Sequence, residues 1–231
     1  GTLVAFGGRA HEVPDLPRDP ATDAAALDLA LTAAHVELQA LAGAAGQRGA
    51  GEQAAIFTAH QELLADRALL RAVSQTVLQG HGAAWAWRRC VAERVAAQQA
   101  LADPTLAARA ADLQDVGDRV LRHLPGGADA GKPAGAEAWP DDAILVADDL
   151  APSVTAQIDT RKVRGFCTAL GGPTAHTAIL ARSLGLPAVV AAGDGVRAAA
   201  ALAGPPAILD GWRGRQYVGP PPQAQQEAQA L

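Results

Sequence analysis

Methionine is missing from all 231 residues, position 1 included, and the chain opens on Gly1-Thr2-Leu3-Val4-Ala5-Phe6, almost inside a strand. With a closing Gln223–Leu231 stretch that reads as a helix just starting, this is the expected look of a piece of a longer protein. Cysteine occurs twice, at Cys90 and Cys167, far apart and in different kinds of element. Two such residues make neither a disulfide framework nor a metal pair. They read as reduced, buried thiols, which suits the cytoplasm. No apolar run reaches the roughly 18 residues that a membrane span needs, and no leader precedes the first strand. Basic runs are absent as well. With 19 basic and 24 acidic residues the net charge is −5, which argues against nucleic acid as partner. No His/Cys/Asp/Glu spacing suggests a metal site.

What remains is a globular balance, 49% hydrophobic and 19% charged, rich in helix-favouring alanine and long enough for one large or two modest domains. A strand at Leu3–Phe6 and a possible second at Ala10–Val13 lead to a proline-rich exit at Pro14, Pro17 and Pro20. Helical seams follow. Leu27, Leu31, Ala34, Leu38 and Leu41 form the first; Ile56, Ala59, Leu63, Leu70, Val73 and Val77 the second. Trp87, Val91 and Val95 mark a third helix; Leu106, Ala110, Leu113, Val116 and Val120 a fourth, with Asp103-Pro104 as cap and first residue. The pattern predicts an antiparallel four-helix bundle over residues 22–124. A linker at 125–139 rich in Gly, Ala and Pro follows. Strands are then predicted at Ala143–Ala147, Val163–Thr168, Ala188–Ala192, Ala207–Asp210 and Arg215–Val218. The last two form a hairpin across Gly211–Gly214. Helices are predicted near Pro152–Ile158, Thr174–Leu184 and Gly195–Leu202. The first strand needs a sheet, and the only sheet lies at the far end. The bundle is therefore expected as an insertion into a discontinuous α/β domain of residues 1–20 plus 140–231.

The chemistry concentrates in Gly171-Gly172-Pro173-Thr174-Ala175-His176. A glycine turn and a Thr cap open a helix whose first turn carries a histidine. A helix start offers unpaired N–H groups and about half a positive charge, an anion site suited to phosphate. The same dipole disfavours imidazolium, leaving a ring lone pair free to attack phosphorus. Gly185 stops the helix and Pro187 follows.

Gly171 to Val190 resembles the phosphohistidine segment of the PEP-utilising enzymes: Enzyme I of the bacterial sugar phosphotransferase system, pyruvate phosphate dikinase and phosphoenolpyruvate synthase. The inserted helices set Enzyme I apart, and three further stretches resemble it: Ala55–Leu64, Arg109–Arg119 and Ile144–Gln157. The resemblance covers essentially the whole chain. It implies an α/β phosphohistidine (swivelling-type) domain with an inserted four-helix bundle, and a cytoplasmic phosphoenolpyruvate-protein phosphotransferase that carries phosphate on His176. Phosphoenolpyruvate would be the donor, through a C-terminal barrel that also takes Mg²⁺ and is absent from this chain. The acceptor would be the phosphocarrier HPr. The fragment would be a monomer and the full-length protein a dimer. Two alternatives stand beside it: a swivelling domain of a PEP synthase or dikinase, and a phosphorylation-dependent interaction module without turnover.

Carried over residue by residue, the resemblance gives Thr155 as a contact of the active histidine, with helix back-bonding as the alternative. Gly171, Gly172 and Thr174 line the phosphoryl site, Thr174 serving as N-cap, phosphoryl contact or both. Arg182 either neutralises phosphate or sits on a solvated face. HPr docking falls on Glu52, Thr58, His60, Glu62, Leu63 and Asp66, with His60 alternatively a half-buried residue beside a bundle seam. Pro173 and Ala175 stand where relatives carry a polar residue and a Ser or Cys, and Gln114 replaces an arginine.

Overall fold

The computed structural model describes residues 1–5, 12–103, 106–107, 109–127, 139–155, 158–172, 175–201 and 204–229, with backbone alone at 153, 176, 197, 200, 201 and 229. The chain divides into two units: Gly8–Lys132, and Gly1–Gly7 with Pro133–Leu231.

In the first unit Asp19 caps helix α1 (Pro20–Gln47), its carboxylate accepting from Thr22 N at 3.0 Å, and Pro20 takes the first helical position, where no N–H is needed. Leu27, Ala30, Ala34, Leu38 and Ala45 form its buried stripe. The second predicted seam is two helices, α2 (Gly51–Leu64) and α3 (Arg67–Leu78). The break comes from Asp66, whose side chain accepts from Ala68 N (2.8 Å) and Leu69 N (3.2 Å) and so starts a new helix. Helices α4 (Ala83–Gln99) and α5 (Ala110–His123) follow, making five among the described residues instead of the four expected. Helix α1 packs on α2 and α5, and α4 on α3 and α5. Trp87 is fully buried and donates its indole N–H to Gly117 O at 2.9 Å. A Cβ on Gly117 would stand 2.6 Å from Val91 Cγ1, so the close α4–α5 approach depends on its absence. Asp103 accepts from Leu106 N at 3.3 Å, while Pro104 lies outside the described residues. Pro14, Leu16, Pro17 and Arg18 line one cavity of about 310 Å³ together with Pro125 and Gly126, so the entrance and exit of this unit are neighbours.

The second unit is a sheet of four parallel strands in the order β1 (Thr2–Ala5), β2 (Ala143–Ala147), β3 (Val163–Thr168), β4 (Ala188–Val189). Five apolar residues in a row make β2 buried on both faces, as a covered parallel strand must be. Ala143, Leu145 and Ala147 pack with Trp139, Phe166, Val154 of α6 (Pro152–Thr155) and Ala181 of α7 (His176–Leu184). Ile144 and Val146 face the other way, towards Leu3, Cys167 and Val196 and Ala199 of α8 (Asp194–Ala201). Gly204–Ala207 pairs along the other edge of β1, with Ala207 N donating to Gly1 O at 2.7 Å. The hairpin β5 (Ala207–Asp210) and β6 (Arg215–Val218) and helix α9 (Pro222–Gln229) complete the unit.

Three expectations change. Strand β4 ends at Val189 and not at 192, because Ala191 takes a positive φ of 56° and residues 191–193 turn their N–H groups to the carbonyls of Leu170, Thr168 and Ala169. Trp139, expected at the end of the linker, is a core residue at 4% exposure. Glu12 and Val13 belong to no strand, and Ala10 lies outside the described residues.

Candidate functional site

After β3, Thr168 closes the strand end by donating its hydroxyl to Leu170 O at 2.9 Å. Leu170 N donates to Asp148 O at 2.8 Å, tying the glycine turn to the loop after β2. Gly171 then takes φ 95°, a conformation that side-chain-bearing residues resist. A Cβ on Gly172 would meet nothing within 4 Å, so the turn is open on that side. Gly172 O accepts from Ala175 N at 3.0 Å, Ala175 is the extended N-cap, and His176 is the first residue of α7. The first N–H groups of α7 have no carbonyl within the helix. The site therefore lies at the carboxyl ends of β2 and β3, where open parallel sheets bind their ligands. The helix ends as expected, at Gly185 with φ 65°. Thr174 and the ring of His176 lie outside the described residues.

Thr155 is buried at 1% exposure in α6, which packs against α7. Its hydroxyl donates to Pro152 O at 3.0 Å, with Ala151 O at 3.3 Å, so the back-bonding alternative is realised. The oxygen retains lone pairs to accept with. Arg182 stands in the last turn of α7, exposed. Six residues from His176, its Cα is about 9 Å along the axis and about 120° around the helix. That position sets its Cα near the C-terminal end of the helix dipole.

Two residues that the sequence reading passed over meet there. Thr177, fully buried, donates its hydroxyl to Asp149 Oδ1 at 3.0 Å, and the same oxygen accepts from Leu150 N at 2.8 Å. A threonine right after the histidine and an acid right after a buried strand were the available signals. Among the described residues no group of His, Cys, Asp and Glu is arranged to hold a metal ion, and no helix is long and apolar enough to cross a membrane.

The six expected docking residues separate. Glu52, Thr58 and Glu62 lie on the exposed face of α2, with Leu63 half-buried. Thr58 returns its hydroxyl to Ala54 O at 3.1 Å. His60 does not belong to that surface. It is 1% exposed, on the stripe of Phe57 and Leu64, edge-on to Phe57 and facing Asp112 (3.3 Å) and Asp115 (3.7 Å) of α5. Spacings of three residues from Phe57 and four from Leu64 put its ring on the packed side. Asp66 is also engaged, as the cap of α3 and in an ion pair with Arg94. Burial raises the cost of its charge, but the Leu69 and Ala68 amides and the Arg94 guanidinium outweigh that and hold the carboxyl below its ordinary range. Gln114 donates to Asp118 at 2.8 Å, and burial pushes the Asp118 carboxyl up.

Residues 3–109 match the family model of the PEP-utilising enzyme N-terminal region, and residues 139–214 that of the PEP-utilising enzyme mobile domain. The solved "N-terminal domain of Enzyme 1 - Nitrogen" aligns over 100% of this chain and 93% of its own, at 30% identity and a TM-score of 0.60. The chain belongs to the PEP-utilising enzymes, among their Enzyme I N-terminal domains. A solution structure of Enzyme I (nEIt) agrees, with a TM-score of 0.67 and 29% identity over 100% of this chain and 92% of that one. Among curated relatives, a multiphosphoryl transfer protein of Xanthomonas campestris is 45% identical over 90% of this chain and 24% of its own length. A phosphoenolpyruvate-protein phosphotransferase of Geobacillus stearothermophilus is 34% identical over 92% of this chain and 37% of its own. The chain thus spans between a quarter and two fifths of these PEP-utilising relatives. Both family models fall on the units that carry the glycine turn and the α2 face.

Proposed function

We propose that this chain is the phosphotransfer portion of a phosphoenolpyruvate-protein phosphotransferase, with His176 carrying the phosphoryl group between phosphoenolpyruvate and HPr. The observation that carries the reading is the placement of His176 as the first residue of α7, behind an open glycine turn at the carboxyl ends of parallel strands. Its neutral ring attacks the phosphorus of phosphorylated HPr in line. A P–N bond forms to His176 as the P–N bond to the carrier histidine breaks, and the carrier ring leaves with the electron pair. The α7 amides and dipole stabilise the oxygens in flight. Thr155 fits as the tautomer setter. Because its O–H is donated to Pro152 O, its oxygen can only accept, so a facing ring nitrogen must be N–H and the other keeps the lone pair. The reverse step returns the phosphoryl group to the carrier histidine, while loading of His176 from phosphoenolpyruvate with Mg²⁺ is assigned to the part of the relatives' length that this chain does not span. The described residues offer Mg²⁺ no site, and no step here passes through it.

HPr docking is assigned to the exposed α2 face with Glu52, Thr58, Glu62 and the edge of Leu63, against a basic carrier surface. His60 and Asp66 are left to the fold. Incubation with phosphorylated HPr should add one phosphoryl group by mass spectrometry, and His176→Ala should add none. Labelling that persists in His176→Ala would end this reading.

A further inference from the structure

The loop after β2 grips the histidine-bearing segment on both sides. Upstream, Asp148 O receives the Leu170 N–H just before the glycines, at 2.8 Å. Downstream, Asp149 Oδ1 receives the Thr177 hydroxyl just after His176, at 3.0 Å. The helical hydroxyls of Thr32, Thr58, Ser74 and Thr76 all return to a carbonyl four residues back. Thr177 instead reaches across to another element and is fully buried in doing so. Asp149 is itself held, since the accepting oxygen also takes the Leu150 N–H at 2.8 Å. Leu150 is fully buried in the core beneath α6, so the anchor is fastened to the sheet and not to a mobile tip.

We propose that the Asp149–Thr177 pair is a positioning device for the phosphoryl carrier: it fixes the rotation of the first turn of α7, and with it the direction in which residue 176 leaves the helix. The inference rests on the reading of His176 as that carrier. A helical turn rotates its residues by 100° per position, so a small slip at residue 177 swings the ring at 176 away from an acceptor held elsewhere. Displacements of about 1 Å in a group-transfer site cost up to about a hundredfold in rate. Neither residue touches the phosphoryl group in this scheme; both act through residue 176.

The test compares Thr177→Val, which keeps the shape and removes the hydroxyl, with Thr177→Ser, which keeps the hydroxyl. Asp149→Ala is compared with Asp149→Asn, which keeps an accepting oxygen. Each is mixed with phosphorylated HPr, and exchange rate, HPr affinity, melting temperature and the ring ¹⁵N shifts of His176 are measured. Thr177→Val and Asp149→Ala should lower the rate at saturating HPr on the order of tenfold, with HPr affinity unchanged and the ¹⁵N shifts moved towards a mixture of tautomers. Thr177→Ser and Asp149→Asn should restore most of the rate. Should Thr177→Val fail to fold, the Asp149 pair carries the same comparison. Native rates and native ¹⁵N shifts in Thr177→Val and Asp149→Ala would overturn the inference, as would losses that the conservative variants do not rescue. If the native protein is not labelled at His176, the carrier reading itself falls, a separate outcome visible before any variant is made.

Discussion

Asp66 separates two readings of one charge. The likeness to Enzyme I placed it on a docking surface; the structure makes it the N-cap of α3 and the ion-pair partner of Arg94. Loss of an N-cap side chain costs about 1 kcal/mol, within a range of about 0.5–2. The Arg94 pair is about a third exposed and is worth at most about 1 kcal/mol after screening by water. Asp66→Ala should therefore destabilise the helical unit by about 1–2 kcal/mol. Asp66→Asn keeps a capping oxygen and loses only the charge, so it should lose at most about 1 kcal/mol. Urea unfolding followed by far-ultraviolet circular dichroism reads both, as a shift of midpoint without change of slope. Exchange with phosphorylated HPr is then measured at low salt, under conditions where each variant is folded. A cap predicts native exchange in Asp66→Asn. If Asp66→Asn keeps its stability but slows exchange as much as a charge reversal at Glu62, Asp66 is a docking charge after all. If Asp66→Ala unfolds at the native midpoint, the energetic argument for the cap is wrong.

Glu52→Lys with Glu62→Lys should slow exchange with HPr at low ionic strength and leave the melting temperature unchanged, and the difference from the native protein should shrink as salt rises; an equal rate at low salt would move the docking face off α2. Gly171→Ala forces a side-chain-bearing residue to φ 95° and should lower the stability of the α/β unit by about 1 kcal/mol or more, with slower exchange, as read from paired unfolding and exchange assays. Burial pushes the Cys167 thiol up to about 11, and Cys90 is buried too, so a thiol reagent at pH 8 should label neither in the native protein and both in guanidinium. Asp15, held down by the His81 ring and the Gly82 amide, and Asp66 have lowered carboxyls, so their stabilisation is complete above the unfolded value near 3.8 and is lost as pH falls through their lower folded values. Asp118, pushed up by burial, acts in the opposite direction. The urea midpoint should thus hold between pH 7 and 5 and fall by pH 3; a midpoint that rises on acidification would contradict this balance.

Strands β2, β3, β5 and β6 were readable to the residue, because each is a short apolar or alternating run closed by a turn or a charge. The α2–α3 break was not, since Leu63 and Leu70 continue one seam by spacing, and only the Asp66 carboxylate on two amides shows that the helix restarts. Strand β4 was overextended for a similar reason: Ala188 to Ala192 is uniformly apolar, and the positive φ of Ala191 is imposed by hydrogen bonds to the 168–170 carbonyls far back in the sequence. In the site, the glycine turn and the helix stop at Gly185 follow from local backbone rules, but the expected Thr174 cap does not hold: Ala175 stands at the N-cap and the helix starts at His176. The Asp149–Thr177 contact does not follow from such rules, because it joins residues 28 positions apart. His60 was given to docking through the likeness to relatives, with a place beside the bundle seam as its alternative; the seam was expected on Ile56, Ala59 and Leu63, whereas Phe57, His60 and Leu64 are the buried residues.

The pairing of Thr2 with Ala143 sets an order of events during synthesis. Strand β1 is made before β2 and waits for that partner for roughly 140 residues, whereas the described helices of the inserted unit find their partners within that interval. The neighbouring positions of Pro14–Arg18 and Pro125–Gly126 then matter. Once the helices have packed, the two ends of the helical unit stand side by side, so the loop to be closed between β1 and β2 is shorter than the sequence between them and costs less entropy to close. The helical unit therefore acts as a clamp that returns the waiting strand to its sheet. A mutation that delays helix packing should slow the closing of the α/β unit, even though it touches no residue of the sheet.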